Sequence, residues 1–247
     1  MLHCFKGCSF SHVSDALRAL GALPGDGTYR QSTRSDLAKL REAEEAEALK
    51  KATLAKRCWQ EAQPVIGTLA EHYLRKRGIA DDLPETLRFH PSCWHVSAKE
   101  FPALVARVEG ADRFAIHRTY LLADGSGKAA VEPSKMMLGS TRGGAVRLSA
   151  DTAPLVVAEG IETALSLPCL LHDAGPVWAA LSTSGMAALR LPPTPAELIV
   201  AVDGEQAGRE AGRVLAQRAT ANGWRVKIAD PGDGLDFNDL LKREVSA

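Results

Sequence analysis

The chain has 247 residues, and its 30 Lys and Arg balance its 30 Asp and Glu to give zero formal charge. That balance argues against a protein that coats nucleic acid through bulk positive charge, although charge can still segregate between faces. Hydrophobic residues make up 45% of the sequence and charged residues 24%, which is typical of a globular protein. The length allows one large domain or two modest ones.

No stretch approaches the ~18 consecutive apolar residues of a membrane-spanning helix. The N-terminus, MLHCFKGCSFSHV, lacks the basic segment, apolar core and cleavage site of a signal peptide. We therefore expect a cytoplasmic protein with no membrane partner. Five dispersed cysteines favour free thiols over a disulfide framework, and the last three are expected to pack as small hydrophobes. The five are Cys4, Cys8, Cys58, Cys93 and Cys169.

The first 62 residues predict two helices separated by a linker. In residues 1–25, SHVSDALRALGAL predicts a helix that Ser11 or Ser14 caps. A linker rich in Gly, Ser and Thr follows, and residues 26–62 include a highly charged segment from Asp36 to Ala62. Acids and bases alternate there at i,i+4 spacing, which predicts a long helix with a solvated face.

Residues 63–150 predict a smaller subdomain of helix and antiparallel strands. GTLAEHYLRKRGI predicts a helix that ends at Gly78. Three strand-like stretches follow, FPALVARVEG, FAIHRTYLLADGSGKAAV and MMLGSTRGGAVRLS, and they are interrupted by Gly-containing turns. The second of them predicts a hairpin closed by residues 124–127.

Residues 151–247 change character, because strands and helices alternate along the chain. The predicted strands are PLVVA, PVWAALS, AELIVAV and WRVKIAD, with helical segments between and after them. Alternation of this kind predicts an α/β domain with a parallel sheet covered by helices on both faces.

Carboxylates follow the ends of three of these strands. Glu159 follows the first, Asp203 and Glu205 follow LIVAV, and Asp236 and Asp239 lie beyond WRVKIAD. Because the carboxyl ends of parallel strands share one edge of the sheet, we expect these acids to meet there. Like charges at close range are costly unless a cation intervenes, and carboxylate oxygens suit Mg²⁺ or Mn²⁺.

The segments EGIETALS, DGEQAG and DFNDL, in this order, resemble the Toprim domain of bacterial-type primases, topoisomerases and some nucleases. The strongest resemblance is to Toprim primases of phages, plasmids and integrative elements. YLRKRGI, LRFHP, PALVARV, HRTYL and KMMLG are similar to the region before Toprim in those proteins. The resemblance extends from about Gln63 to Leu241.

This resemblance implies roles for six acids. Glu159 would be the acid/base or metal-adjacent glutamate, and Asp203, Glu205 and Asp236 would hold a divalent metal ion, with Glu162 and Asp239 as secondary acids. Asp239 is equally suited to capping the last helix. The family usually carries Asp-x-Asp where this chain has Asp203-Gly204-Glu205, and the longer glutamate displaces its oxygens relative to aspartate.

HCFKGCSF resembles the end of the zinc-binding domain that precedes Toprim in these primases. Cys4 and Cys8 would supply one ligand pair, but a structural zinc site needs four ligands. We therefore expect a truncated zinc domain, with Zn²⁺ bound only if the site is completed from elsewhere. Plain thiols are the alternative.

Basic residues of the preceding block are expected to bind nucleotide or template phosphates. Arg118, Lys135 and Arg142 are the leading residues. Other candidates are Arg75, Lys76 and Arg77 for phosphate contact, and Tyr120 or Trp94 for stacking a base. The neighbouring His90 and His117 are expected to be structural histidines.

The sequence leaves three functions open. The first is a DNA primase that makes short RNA primers from ribonucleoside triphosphates on single-stranded DNA, for replication of a mobile element. The second is a Toprim nuclease, and the third is a catalytically weakened accessory module that binds single-stranded DNA. ADGSGKAA lacks the full P-loop pattern, so unwinding would require a separate helicase or initiator.

Overall fold

The structure is a computed structural model, and it describes residues 8–21, 33–149, 154–171 and 175–245. The chain divides into two compact units, residues 1–44 and 45–247. In the first unit, helix α1 (Phe10–Ala19) begins after Ser9, whose hydroxyl accepts a hydrogen bond from the His12 amide. The prediction that Ser11 or Ser14 caps this helix was therefore wrong, since Ser14 instead donates its hydroxyl to the Phe10 carbonyl within the helix.

The charged segment forms helix α2 (Arg34–Glu61), most of which is exposed. Only three of its residues are buried, Ala52, Ala55 and Trp59, and all lie in the C-terminal half. Within the described residues, no helix combines the length and apolar character needed to cross a membrane.

An antiparallel sheet follows α2. Its strands are β1 (Gln63–Pro64), β2 (Leu87–Trp94), β3 (Glu100–Val108), β4 (Ala115–Tyr120) and β5 (Lys135–Leu138), adjacent in that order. Helix α3 (Leu69–Lys76) lies between β1 and β2 in the chain. The predicted hairpin turn is present, because the Asp124 carboxylate accepts from the Ser126 amide and Leu121 bridges to Lys128.

Strand β4 is buried on both faces, so its alternating side chains serve two different surroundings. Ile116 and Tyr120 pack with Ala55 and Trp59 of α2. His117 points to the opposite side, toward the second sheet. One face of β4 therefore packs against α2, and the candidate site lies on its other face.

The second sheet has the order β10-β9-β7-β8-β6. Its strands are β6 (Val146–Arg147), β7 (Leu155–Ala158), β8 (Val177–Ala179), β9 (Glu197–Ala201) and β10 (Arg225–Ala229). The helices are α4 (Ile161–Leu170), α5 (Thr183–Ala188), α6 (Gln206–Ala221) and α7 (Phe237–Val245). Strands β7 to β10 are mutually parallel, which confirms the predicted α/β sheet.

Helices cover both faces of this sheet, and alternate side chains of β7 pack into a different core on each face. Val156 and Ala158 pack in one core with Ile161 of α4. Leu155 and Val157 pack in the other, which includes residues of α5 and α6. The first core also contains residues of α3 and of the antiparallel sheet, so the two sheets share it.

One strand differs from the expectation. GGAVRLS was interpreted as part of the preceding block, but Val146 and Arg147 pair antiparallel with Ala179 and Trp178 of β8. The second sheet is therefore mixed at this edge. A two-residue strand carries too little periodic pattern to indicate its sheet partner.

Candidate active site

Glu159 lies where β7 ends and α4 begins. Its backbone carbonyl accepts a 2.8 Å hydrogen bond from the amide of Leu181, which has a left-handed φ of 74°. Its side chain is half-buried, and burial raises the pKa of the carboxyl group against the opposing effects of Lys135 and the Thr183 amide. Glu159 is therefore a partly desolvated acid at the strand end.

Asp203 follows β9, and its pKa is raised far above the ordinary value of an aspartate. Burial raises its pKa to about 6, and the negative charges of Glu159 and Asp236 add to that effect. Its Oδ1 atom is buried without a hydrogen-bond partner. A buried, unpaired carboxylate oxygen is unstable by itself, so Asp203 is suited to a ligand that supplies positive charge.

The approach of two loops holds Asp203 near Asp236. The amide of Gly204 donates to the carbonyl of Leu235 at 2.8 Å, and the amide of Gly234 donates back to the carbonyl of Gly204 at 3.0 Å. A side chain at position 204 would collide with the carbonyl of Gly232, so the close approach requires glycine there.

Asp236 directly precedes α7 and shares a reciprocal cap with Asp239. The Oδ1 atom of Asp236 accepts from the Asp239 amide at 2.8 Å, and the carboxylate of Asp239 accepts from the Asp236 amide at 3.4 Å. Asp239 thus has the capping role that the sequence left open. Asp236 also lines the candidate site, while Asp239 does not.

Four of the predicted acids line one cavity of about 170 Å³. Glu159, Asp203 and Asp236 come from the ends of β7 and β9 and the residue before α7, and Glu162 comes from the first turn of α4. The basic or titratable side chains on the same wall are Arg77, His117, Lys128 and Lys135. The cavity therefore combines carboxylates that follow strands of the second sheet with basic side chains from the region that contains the antiparallel sheet.

Glu205 is placed differently from the other acids. It is exposed at the N-cap position of α6, its side chain makes no capping bond, and it does not line the cavity. Its charge still acts on the site, because it raises the pKa values of Glu159 and Asp203. Glu205 is one methylene longer than the aspartate expected at this position, and its side chain lies outside the cavity.

Glu162 is buried on α4 and is fully engaged by other side chains. Its carboxylate accepts a 2.7 Å hydrogen bond from Tyr73 and a 3.0 Å bond from Lys135, and Lys128 lies 3.5 Å away. Burial would raise its pKa, but the two ammonium groups and the Tyr73 hydroxyl outweigh burial and hold the pKa far below its usual range. Glu162 is therefore an ionised structural anchor for the two lysines.

His117 and Lys128 are both strongly affected by burial. Burial and the nearby Lys135 lower the pKa of His117 to about 4, so its imidazole is neutral at neutral pH. Burial also lowers the pKa of Lys128, although Glu162 opposes that shift. The cavity thus has two lysines and a neutral histidine facing the acids.

Two of the three leading candidates for phosphate contact do not line the cavity. Arg118 is buried on the other face of β4, where its guanidinium donates to the Trp94 carbonyl at 3.1 Å. Arg142 is exposed in the turn after β5. Only Lys135 of the three reaches the acids.

The site fits a hard divalent cation by its chemistry. Across the residues that the structure describes, no three His, Cys, Asp or Glu side chains already form a group that could hold a metal ion. The partnerless Oδ1 atom of Asp203 and the crowded carboxylates that raise its pKa are nevertheless the features that a divalent cation would relieve.

Of the two expected zinc ligands, Cys4 lies outside the described residues. Cys8 is exposed before α1. The truncated zinc domain stays a prediction from the sequence.

Sequence reasoning missed Tyr73 and Lys128, and treated His117 only as a structural residue. Tyr73 lies in a helix whose sequence gives no sign of a contact with α4, 89 positions further on. Lys128 occurs in ADGSGKAA, where the glycines suggested a comparison with phosphate-binding loops only. The predicted hairpin could have indicated the position of Lys128, because the pairing of Lys128 with Leu121 brings it back toward β4.

Comparison with protein families divides the chain into two matched regions. Residues 49–148 match a domain of unknown function, DUF7146, and residues 154–247 match the Toprim domain. The C-terminal part of the chain, with its mixed sheet and its acids at the strand ends, is a Toprim domain. A comparison with curated proteins gives no match.

The fold is similar to that of a solved primase domain. A DNA primase domain from Pseudomonas aeruginosa is similar with a TM-score of 0.50 and 17% identity, over 78% of this chain and 75% of that one. The RNA polymerase domain of Mycobacterium tuberculosis primase matches with a TM-score of 0.44 and 18% identity, over 87% and 84%. The zinc-binding and RNA polymerase domains of Aquifex aeolicus primase match with a TM-score of 0.45 and 11% identity, over 95% and 64%.

Proposed function

We propose that the protein is a DNA primase-like nucleotidyltransferase that synthesises short RNA primers on single-stranded DNA, for replication of a mobile element. One observation carries the proposal: Glu159, Asp203 and Asp236 line a cavity with Lys128 and Lys135 in a primase-like fold. Acids that can hold divalent cations, beside cations that can hold phosphates, are the two requirements of nucleotidyl transfer.

Glu159, Asp203 and Asp236 would hold Mg²⁺ or Mn²⁺. When bound, the metal would favour ionisation of the attacking hydroxyl and offset the charge of the triphosphate. Asp203 must be deprotonated for this role, and its pKa of about 6 leaves it ionised at neutral pH. Burial raises the pKa of Glu159, which makes its carboxylate a stronger proton acceptor than an exposed glutamate.

Lys128 and Lys135 would contact the triphosphate. Their ammonium groups approach the two carboxylate oxygens of Glu162, and these ion pairs hold both lysine side chains at the wall of the cavity. An anchored lysine loses less side-chain entropy on binding phosphate than a free one. Glu162 is thus a positioning residue rather than a metal ligand.

The proposed partners are single-stranded DNA and ribonucleoside triphosphates, with a separate helicase or initiator. Arg142 is exposed and stays a candidate for contact with the template backbone. Arg118 supports the neighbouring structure through Trp94. The proposal therefore assigns phosphate contact in the cavity to the two lysines.

The test is template-dependent incorporation of labelled ribonucleotides on single-stranded DNA with Mg²⁺ or Mn²⁺. We expect short oligomers from the wild type and a loss of at least about 100-fold in Glu159→Gln and Asp203→Asn. Asp112→Asn is the control, because Asp112 is an exposed acid paired with Arg190 and lies outside the cavity. Cleavage of DNA without oligomers would favour a nuclease over a primase.

An accessory module is the second candidate, and the position of Glu205 favours it. The second acid of the expected Asp-x-acid pair is exposed and away from the cavity, so the metal site has fewer converging ligands than the sequence implied. Salt-sensitive binding of single-stranded DNA, with neither synthesis nor cleavage under any of these conditions, would support this candidate.

A further inference from the structure

Two thiols from distant parts of the chain meet on the far face of β4. Cys58 is in α2 and Cys93 is in β2, and their Sγ atoms lie 3.7 Å apart. Cys93 is 2% exposed, while Cys58 is partly exposed. The proposed nucleotidyl transfer uses neither residue.

A separate cavity of about 400 Å³ gives access to both sulfurs. Cys58, Cys93 and Arg118 line it, and none of its lining residues lines the acidic cavity. The space is large enough for a small oxidant to reach Cys93 despite its low exposure.

The surroundings favour the thiolate form of Cys93. A hydrogen bond from Cys58 lowers the pKa of the Cys93 thiol, and the charge of Arg118 acts in the same direction against the effect of burial. The same pairing raises the pKa of Cys58. Cys93 is therefore the sulfur of the pair more suited to carry the thiolate, with Cys58 as the thiol that donates to it, and this is the arrangement of a reactive dithiol.

We propose that Cys58 and Cys93 form an oxidisable dithiol site that takes hydrogen peroxide as its oxidant and closes to an intramolecular disulfide. The Cys93 thiolate attacks one peroxide oxygen, the O–O bond breaks, and the leaving hydroxide takes up the proton that the Cys93 thiol released on ionising, to give water. The Cys58 sulfur then attacks Sγ of the resulting Cys93 sulfenic acid. The S–O bond breaks, and the departing hydroxide takes the Cys58 proton, so two thiols and one peroxide give one disulfide and two waters.

The geometry allows the second step with small movements. The sulfurs must approach from 3.7 Å to about 2.05 Å. Cys58 is on a helix end that is already packed against the sheet, since its neighbours Ala55 and Trp59 share a core with Cys93. The disulfide would fasten the C-terminal half of α2 to β2.

The experiment treats the reduced full-length chain with hydrogen peroxide, blocks the remaining thiols with N-ethylmaleimide, and maps peptides by mass spectrometry. We expect a Cys58–Cys93 linked peptide that dithiothreitol reverses, formed at least about tenfold faster than oxidation of Cys169. Cys169 is the internal reference, because burial and its hydrogen bond to Asp81 raise its pKa to about 11.

Two variants separate the steps. In Cys58→Ser, dimedone should trap a sulfenic acid on Cys93, because the resolving thiol is gone. In Cys93→Ser, oxidation of Cys58 should slow to the rate of Cys169. The proposal is overturned if the folded wild type yields no linked peptide, or if Cys58 and Cys93 oxidise independently at the Cys169 rate; neither result depends on whether the variants fold.

Discussion

The hydroxyl of Tyr73 donates a 2.7 Å hydrogen bond to Oε1 of Glu162, and this contact joins the two regions that match different families. Tyr73 belongs to α3 of the first region and Glu162 to α4 of the Toprim domain. Lys128 and Lys135 approach the same carboxylate from the antiparallel block. The wall of the candidate active site is therefore built by both regions together.

Tyr73→Phe should lower the free energy of unfolding by about 1.5 to 3 kcal/mol, because it removes a hydrogen bond to a buried charged group. Tyr120→Phe is the matched control, since the hydroxyl of Tyr120 donates to a neutral acceptor, the Trp94 carbonyl, at 2.8 Å. The control should cost about 1 kcal/mol. Urea unfolding at neutral pH compares the two, and equal losses would contradict an ionised Glu162.

Glu162→Gln should lower the free energy of unfolding by about 3 kcal/mol, because Lys128 and Lys135 would lose the charge that compensates them. Glu109→Gln is the control, since Glu109 is more exposed and its ion pairs with Arg107 and Arg147 lie nearer the surface. It should cost less than about 1 kcal/mol. If Glu162→Gln were no more costly than this control, the anchoring role of Glu162 would be wrong.

Asp203→Asn should stabilise the protein at pH 8 without metal. The folded pKa of Asp203 is about 6, above the ordinary value of 3.8, so folding favours its protonated form. The favourable contribution is fully present below pH 3.8 and is lost as the pH rises through 6. After allowance for solvent screening, removal of the charge should add about 1 to 2 kcal/mol to the free energy of unfolding at pH 8.

Asp124→Asn is the control for Asp203→Asn, because the folded structure shifts the pKa of Asp124 in the opposite direction. Asp124 is an exposed acid whose pKa is lowered by hydrogen bonds from Ser126, so its ionised form is favoured in the folded state. The variant should not be stabilised at pH 8. A destabilised Asp203→Asn would show that Asp203 is not an electrostatically strained acid.

His117 should make the protein labile to acid. Its folded pKa of about 4 lies below the ordinary 6.5, so its contribution is present above pH 6.5 and is lost as the pH falls toward 4. The loss should be about 3 kcal/mol, and unfolding measured from pH 7 to 4 should show a smaller decline in His117→Phe. An unchanged pH profile in the variant would mean that folding does not lower the pKa of His117.

The sequence predicted the second sheet well because its signals are local. Runs such as Leu155–Ala158 are buried strands of four to five residues between helices, and the acids directly after them follow from parallel topology. The convergence of Asp236 could be expected for the same reason. The capping role of Asp239 stayed open until its hydrogen bonds were visible.

Contacts made across the two sheets could not be predicted from the sequence. The burial of Glu162 depends on Tyr73 and Lys135, which are distant along the chain. Arg118 was expected near phosphates, but a strand alternates faces with each residue, and no pattern in HRTY indicates which face meets the acids. His117, its neighbour, lies on that face.

The most direct test of the account is Mn²⁺ binding, measured by electron paramagnetic resonance on the full-length protein. The central claim is that Glu159, Asp203 and Asp236 share one cation site. Asp203→Asn and Asp236→Asn should each weaken Mn²⁺ binding by at least about tenfold, and Glu205→Gln by no more than about threefold. Equal binding by the wild type and Asp203→Asn, or no Mn²⁺ binding by the wild type at neutral pH, would contradict the claim.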